Sequence, residues 1–216
     1  MSQAQYCTCE QLSRGRRKGG LPYTAQVEAE RTIASREVYK GRLISLRVDD
    51  IEMPNGRRST REIVEHPGAV AILAFTADDR LVFVQQYRKA ADRLTLEIPA
   101  GTLGVGEDPH GCAVRELKEE TGFAAHTFAR VCSFYTAVGF CTELLHLFTA
   151  SGLEAGVQAF DDDEDIQVLT LSVAEAMECV RDGGIVDAKT VAGVFWAALS
   201  QAGHAGALGL RQELSA

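Results

Sequence analysis

No apolar run in this chain approaches the roughly 18 residues that a membrane-spanning helix needs. The opening stretch MSQAQYCTCEQL lacks the apolar core of a signal peptide, so a cytoplasmic protein with no membrane partner is expected. Positive charge is also in deficit: 22 Lys and Arg face 30 Asp and Glu, a formal charge of −8, with a pI near 5.2. That balance argues against a general binder of nucleic acid or anionic membrane. It leaves room for a small polyphosphate, because a divalent cation reverses the sign of a local site. Of the six cysteines only Cys7 and Cys9 lie close together, and no second pair or histidine cluster completes a zinc site. They read as ordinary thiols of a reducing compartment. No internal repeat is evident. Gly101, Gly104 and Gly106 are not followed by Gly-Lys-Ser/Thr, which excludes a P-loop; they read as loop flexibility ahead of a helix.

What is present suits one domain of generous size, or a domain with a smaller appendage: 216 residues, 46% hydrophobic and 24% charged. Residues 1–33 are polar, carry the basic cluster RGRRKGG and read as a flexible arm. Residues 34–66 read as short strands, with PNG as a hairpin turn. The apolar runs AVAILAFT (69–76) and LVFVQQYR (81–88), joined by polar residues, read as a buried antiparallel pair. LTLEIPAG adds a strand ending at Pro99. Asp108-Pro109 is a helix start and Gly122 a stop. Further strands are expected at 129–136, 143–150 and 166–172, and helices at 173–181 and 188–201. The order predicts an α+β or layered α/β/α sandwich over 67–203, with a tail at 204–216.

The stretch GTLGVGEDPHGCAVRELKEETGF (101–123) crowds five carboxylates: Glu107, Asp108, Glu116, Glu119 and Glu120. On a helix advancing about 100° per residue, Glu116, Glu119 and Glu120 share one face. Ala113, Leu117 and Thr121 fall on the other, available for packing. Hard oxygen ligands converging from one helical face suit Mg2+ or Mn2+, and Arg115 can hold a carboxylate by a bidentate bond. An acidic run on its own is most often a solvated face; here the spacing decides against that.

Gly101, then Glu107, then the run REL at 115–117 and EETGF at 119–123 resemble the Nudix box at every defined position. That resemblance implies a loop-helix-loop that binds Mg2+ or Mn2+ and hydrolyses nucleoside diphosphates linked to another moiety. SLRVDDIEMPNGRRSTREIVEHPGAVAIL, QQYRKAADRLTLEIPAG, FDDDEDIQV and VDAKTVAGVFWAAL resemble the ADP-ribose pyrophosphatase branch of the Nudix hydrolases. The branch implies a Nudix fold preceded by a small N-terminal β-sheet region (34–66), shared across a homodimer.

Roles implied by the resemblance fall on particular positions. Glu116, Glu119, Glu120 and the carbonyl of Ala100 hold the metal, and Arg115 orients the glutamates. Arg88 and Glu97 match nucleotide-contacting positions, and Arg61 matches one near the substrate that acts across the dimer. Glu164, in the acidic segment 160–168, matches a glutamate that serves as general base or orients the nucleophile, with Asp162 and Asp163 as neighbours able to substitute and Glu119 or another box carboxylate as the remaining catalytic candidate. His66, before Pro67, reads as a turn or packing residue. Relatives that prefer ADP-ribose carry an SPGF-like segment beyond the box. Here it reads TAVGFCTE: Gly139, Phe140 and Glu143 remain, while Ala137 and Val138 stand for Ser-Pro. Losing that proline loosens a loop expected to border the terminal ribose.

The expected activity is therefore Mg2+-dependent hydrolysis of ADP-ribose to AMP and ribose 5-phosphate. The alternatives are a broader nucleoside diphosphate sugar pyrophosphatase and a non-catalytic sensing module. The module would require an appended DNA-binding domain, and only a short tail follows the final predicted helix. Chemistry like that of isopentenyl-diphosphate isomerase needs a cysteine and glutamate placement the chain does not support.

Overall fold

A computed structural model describes residues 28–156 and 166–203. Its contacts divide the chain into two compact units, one comprising the chain up to Arg36 with Val48–Arg61, the other Glu37–Arg47 and everything from Glu62. Strands β1 (Arg31–Lys40), β2 (Ser45–Glu52) and β3 (Arg58–Glu65) form a sheet in that order, each with residues in both units. In the first unit PNG makes the predicted turn: Gly56 N–H donates to the Met53 carbonyl at 2.8 Å, with Gly56 at φ 78°. Strand β1 starts inside the stretch read as an arm, and all ten of its residues are exposed.

The second unit carries two further sheets. One has the order β10 (Gln167–Leu171), β5 (Leu81–Arg88), β6 (Arg93–Glu97); the other runs β7 (Ala100–Thr102), β4 (Ala69–Ala74), β9 (Leu144–Ala155), β8 (Phe123–Tyr135). The expected antiparallel pairing of 69–76 with 81–88 is not formed. Strand β4 pairs in parallel with β9 and antiparallel with β7, β5 pairs with β10 and β6, and only an isolated bridge, Phe75 to Leu81, joins the two runs. The polar residues between them do form a turn, the Asp79 amide donating to the Thr76 carbonyl at 3.1 Å. The wholly apolar β4 and the apolar first half of β5, LVFV, however, find more burial as centres of separate sheets than side by side.

Every residue of β4 is buried, and its alternation organises the core. Ala69, Ala71 and Leu73 face a cluster with Phe83, Ile98, Val173, Val194 and Ala197. Val70, Ile72 and Ala74 face a second cluster with Cys112, Ala113 and Leu117. Helix α1 (Pro109–Thr121) thus covers one face, and α2 (Val173–Arg181) and α3 (Ala188–Gln201) cover the other. This is the α+β sandwich that the sequence predicts. Helices α2 and α3 fall where the sequence places them, because each starts at a side-chain cap: Ser172, paired with Glu175 in a capping box, and Asp187. Strand β8 starts at Phe123, earlier than the expected 129, because the chain turns straight into a strand after Gly122. Among the described residues no helix is long and apolar enough to cross a membrane.

Candidate active site

Helix α1 is built to present its acidic face. Asp108 caps it by accepting from the His110 and Gly111 amides at 3.0 and 3.1 Å. Gly122 ends it in the left-handed conformation, φ 73°, with its amide on the Lys118 carbonyl. Cys112, Ala113, Leu117 and Thr121 bury the opposite side, as the spacing predicts.

Arg115 is the hub. Its Nε and Nη2 donate to Glu107 Oε1 and Oε2 at 2.9 and 3.0 Å. Its Nη1 reaches Glu119 Oε2 at 2.8 Å and Glu116 Oε1 at 2.7 Å. One planar guanidinium therefore offsets three carboxylates that would otherwise repel. The same bonds, with the Gly104 amide at 2.7 Å, hold the Glu107 carboxyl down to about 2. Burial, reinforced by the charges of Glu116 and Glu107, pushes the Cys112 thiol up to about 12, which makes it an inert packing group rather than a nucleophile.

Gly101 corrects the reading of the glycines as loop flexibility. It lies in β7, and a Cβ built on it would stand 1.9 Å from Glu116 Cδ and 2.0 Å from its Oε1. The missing side chain is the space that the Glu116 carboxylate occupies. Next to it, the Ala100 amide donates to Glu120 Oε2 at 3.0 Å, pinning the deepest of the three helix carboxylates, itself only 4% exposed.

These groups line a cavity of about 680 Å³ whose wall includes Ala100, Arg115, Glu116, Glu119, Glu120 and Glu143, together with Arg42, Arg88 and Lys189. Glu97 stands behind that wall, 2% exposed. Its carboxylate accepts from Arg88 Nε and Nη2 at 2.8 and 2.7 Å, from Thr95 Oγ1 at 2.6 Å and from Lys189 Nζ at 2.5 Å. Burial pushes this carboxyl up, but the Arg88 bonds and the charge of Lys189 outweigh it and hold the group at about 2. Glu97 is thus the anchor of two cations.

Of the residues singled out in the sequence, Ala100, Arg115, Glu116, Glu119, Glu120, Arg88 and Glu143 meet on one cavity. Arg61 belongs to the first unit, where its Nε donates to Glu30 at 3.0 Å. Gly139 sits in an exposed turn with nothing within 4 Å of a Cβ position. Glu164, Asp162 and Asp163 lie outside the described residues. His66 does serve a turn: its Nδ1 accepts from the Gly68 amide at 3.1 Å. Arg42 and Lys189 were missed. Lys189 had one signal, the polar DAKT at the head of an otherwise apolar helix; Arg42, in a strand connection, had none.

Among the described residues no three acidic, histidine or cysteine side chains are grouped as a complete ion site. The donor chemistry nonetheless fits a hard divalent cation. The carboxylates are all oxygen donors on one face, and Glu116 and Glu119 already converge on a single cationic nitrogen.

One cavity lined by the carboxylates of a helix and by Arg42, Arg88 and Lys189 suits a hard cation together with an anionic ligand such as a phosphate ester or anhydride. The NUDIX domain family matches residues 65–191, and the nucleoside diphosphate sugar hydrolase N-terminal domain matches residues 30–64. The chain is 43% identical to the methanol dehydrogenase activator of Bacillus methanolicus, over 80% of this chain and 95% of that one. It is 41% identical to the ADP-ribose pyrophosphatase of Bacillus subtilis, with the same coverage of 80% and 95%. A solved ADP compounds hydrolase superposes with a TM-score of 0.73 over 85% of this chain and 98% of that one, at 23% identity, a likeness of fold. The chain belongs to the Nudix family, whose members work with divalent metal.

Proposed function

We propose that this protein hydrolyses the pyrophosphate bond of ADP-ribose to AMP and ribose 5-phosphate, with Mg2+, or Mn2+ in its place, held by Glu116, Glu119, Glu120 and the Ala100 carbonyl. The observation that carries this reading is the charge content of one cavity: carboxylates clamped by Arg115, together with Arg88 and Lys189, both anchored on Glu97. Bound metal offsets phosphate charge and lowers the pKa of an attacking water. The protein's own groups do the rest. Arg115 keeps Glu116 and Glu119 in one orientation, Arg88 donates to phosphate oxygens, and Glu143 and the Gly139 turn border the terminal ribose. Glu164 takes the proton of the water whose oxygen attacks phosphorus as the bridging P–O bond breaks.

The same proposal makes the protein a cytoplasmic homodimer in which 34–66 supplies much of the contact and Arg61 acts across it. Its support is β1, the edge strand of its sheet, with Ile33 41%, Val38 50% and Tyr39 56% exposed; an open apolar edge invites a second chain.

A broader sugar range is the second reading, favoured by the turn in which Val138 stands 80% exposed in place of proline. The test is a panel of ADP-ribose, ADP-glucose and GDP-mannose with Mg2+, scored by phosphatase-released phosphate and chromatography of AMP. Turnover of ADP-ribose to AMP, at least equal to the others, is expected. A clear preference for another sugar installs the second reading. Binding without turnover of any of them would mean a sensing module.

A further inference from the structure

Helix α3 bears a charge that the box chemistry leaves without a task. Lys189 follows the Asp187 cap by two positions, lines the cavity, and is only 12% exposed in its side chain. Its Nζ is held by Glu97 Oε2 at 2.5 Å and Asp187 Oδ2 at 3.1 Å. Asp187 in turn accepts from the Thr190 amide at 3.0 Å and hydroxyl at 2.5 Å, and the Thr190 hydroxyl accepts from the Ile98 amide at 3.0 Å. One polar chain therefore runs from the cavity cation Arg88 through Glu97, Lys189, Asp187 and Thr190 to the backbone just ahead of Ala100.

The division of exposure assigns the roles along it. The Arg88 side chain is 44% exposed and uses Nε and Nη2 on Glu97, so its remaining edge is the one that meets an anion. Lys189 is largely enclosed, with a compact ammonium bound to two carboxylates. Glu97 is buried, and with Arg88 alone it would be a buried anion whose single cation partner has a solvent-exposed edge. Thr95 Oγ1 would still hold Oε1 at 2.6 Å, but Oε2 would keep only the Arg88 fork, so the carboxylate could pivot about Oε1 and carry that fork with it. A bidentate fork acts only when its partner is fixed.

We propose that Lys189 is a positioning residue for the substrate's phosphates: by fixing Glu97 from behind, it aims Arg88 into the cavity. This rests on the functional reading above and extends it to the C-terminal helix, which thereby governs affinity without touching the box.

The test is a double-mutant cycle on Lys189→Met and Arg88→Ala. It is read as affinity for α,β-methylene-ADP with Mg2+ by titration calorimetry, beside kcat and KM for ADP-ribose. Lys189→Met is expected to weaken binding about tenfold and to raise KM with kcat within about threefold. In the Arg88→Ala background the same change should cost less than about twofold. Lys189→Arg, which keeps the charge, should restore most of the affinity. Equal losses in both backgrounds, or no loss at all, overturn the proposal. If Lys189→Met does not melt cooperatively, Lys189→Gln goes through the same cycle. Should the wild type bind the analogue and the cycle couple while no nucleoside diphosphate sugar is hydrolysed, the functional reading fails and the positioning role stands. Turnover with an additive cycle gives the reverse.

Discussion

Replacing Gly101 by alanine separates the fold from the chemistry. The added methyl would sit 1.9 Å from Glu116 Cδ and 2.0 and 2.3 Å from its two oxygens, against about 3.4 Å for ordinary contact, so the carboxylate must retreat by more than about 1 Å. The clash is with the far end of a flexible side chain, which rotates cheaply, and Gly101 has no positive φ that alanine would resist. The folded state therefore loses little, and the unfolded chain loses freedom worth about 0.4–1 kcal/mol. A melting temperature equal to or slightly above wild type is expected. Activity should behave oppositely. A misplacement of about 1 Å in a group that orients the reaction costs on the order of 10²-fold, and here the displaced oxygen is also the one that Arg115 Nη1 holds at 2.7 Å. Calorimetric melting paired with ADP-ribose turnover across a Mg2+ titration decides it. More than a third of wild-type turnover at ordinary Mg2+ would refute the argument, and so would a collapse in stability.

Glu116→Gln and Glu120→Gln should each lower turnover by about 10²-fold with the fold intact, since each removes a charged oxygen donor; a variant keeping over a third of wild-type turnover at saturating Mg2+ would count against that ligand assignment. Glu97 is held at about 2 against an ordinary 4.5, burial opposing and Arg88 and Lys189 prevailing. Its contribution is therefore complete above pH 4.5 and lost as pH falls toward 2. Melting temperature measured across that window should fall less steeply in Glu97→Gln than in wild type, and parallel slopes would show that Glu97 does not titrate there. Val138 is the second residue of a turn closed by the Phe140 amide on the Ala137 carbonyl at 3.1 Å, a place proline suits. Val138→Pro should leave melting unchanged and sharpen the ratio of kcat/KM for ADP-ribose over ADP-glucose by about fivefold; an unchanged ratio would remove the loop from specificity.

The helices were readable because their signals are local. Asp108-Pro109 and Gly122 bracket α1, and Ser172 and Asp187 open α2 and α3, so the cap chemistry that starts a helix lies within a turn of it. Strand partnership is not local. AVAILA and the LVFV half of LVFVQQYR each show that they are buried, but a run apolar on both faces carries no phase to say which neighbour it takes. Strand β4 takes β9, a partner more than seventy positions away that runs parallel, and no turn between 76 and 81 could announce it.

The candidate site divides the same way. A motif on one helix exposes the order of its carboxylates, so Glu116, Glu119 and Glu120 were legible together with Arg115. What the sequence hides is what holds them. Gly101 looks like any loop glycine until its absent Cβ is found to be the room for Glu116. Arg88, Glu97 and Lys189 lie nine and ninety-two positions apart in pairs, and only the packing of α3 against β4, with the Thr190 hydroxyl on the Ile98 amide, brings the ammonium to the buried carboxylate. The consequence is physical. The box can be recognised without knowing which cations share its cavity, yet the pyrophosphate of the proposed substrate carries several negative charges and calls for those cations as well as a metal. Under the proposed function, selection among substrates rests on the non-local cations and the 136–143 turn, the parts that the motif does not contain.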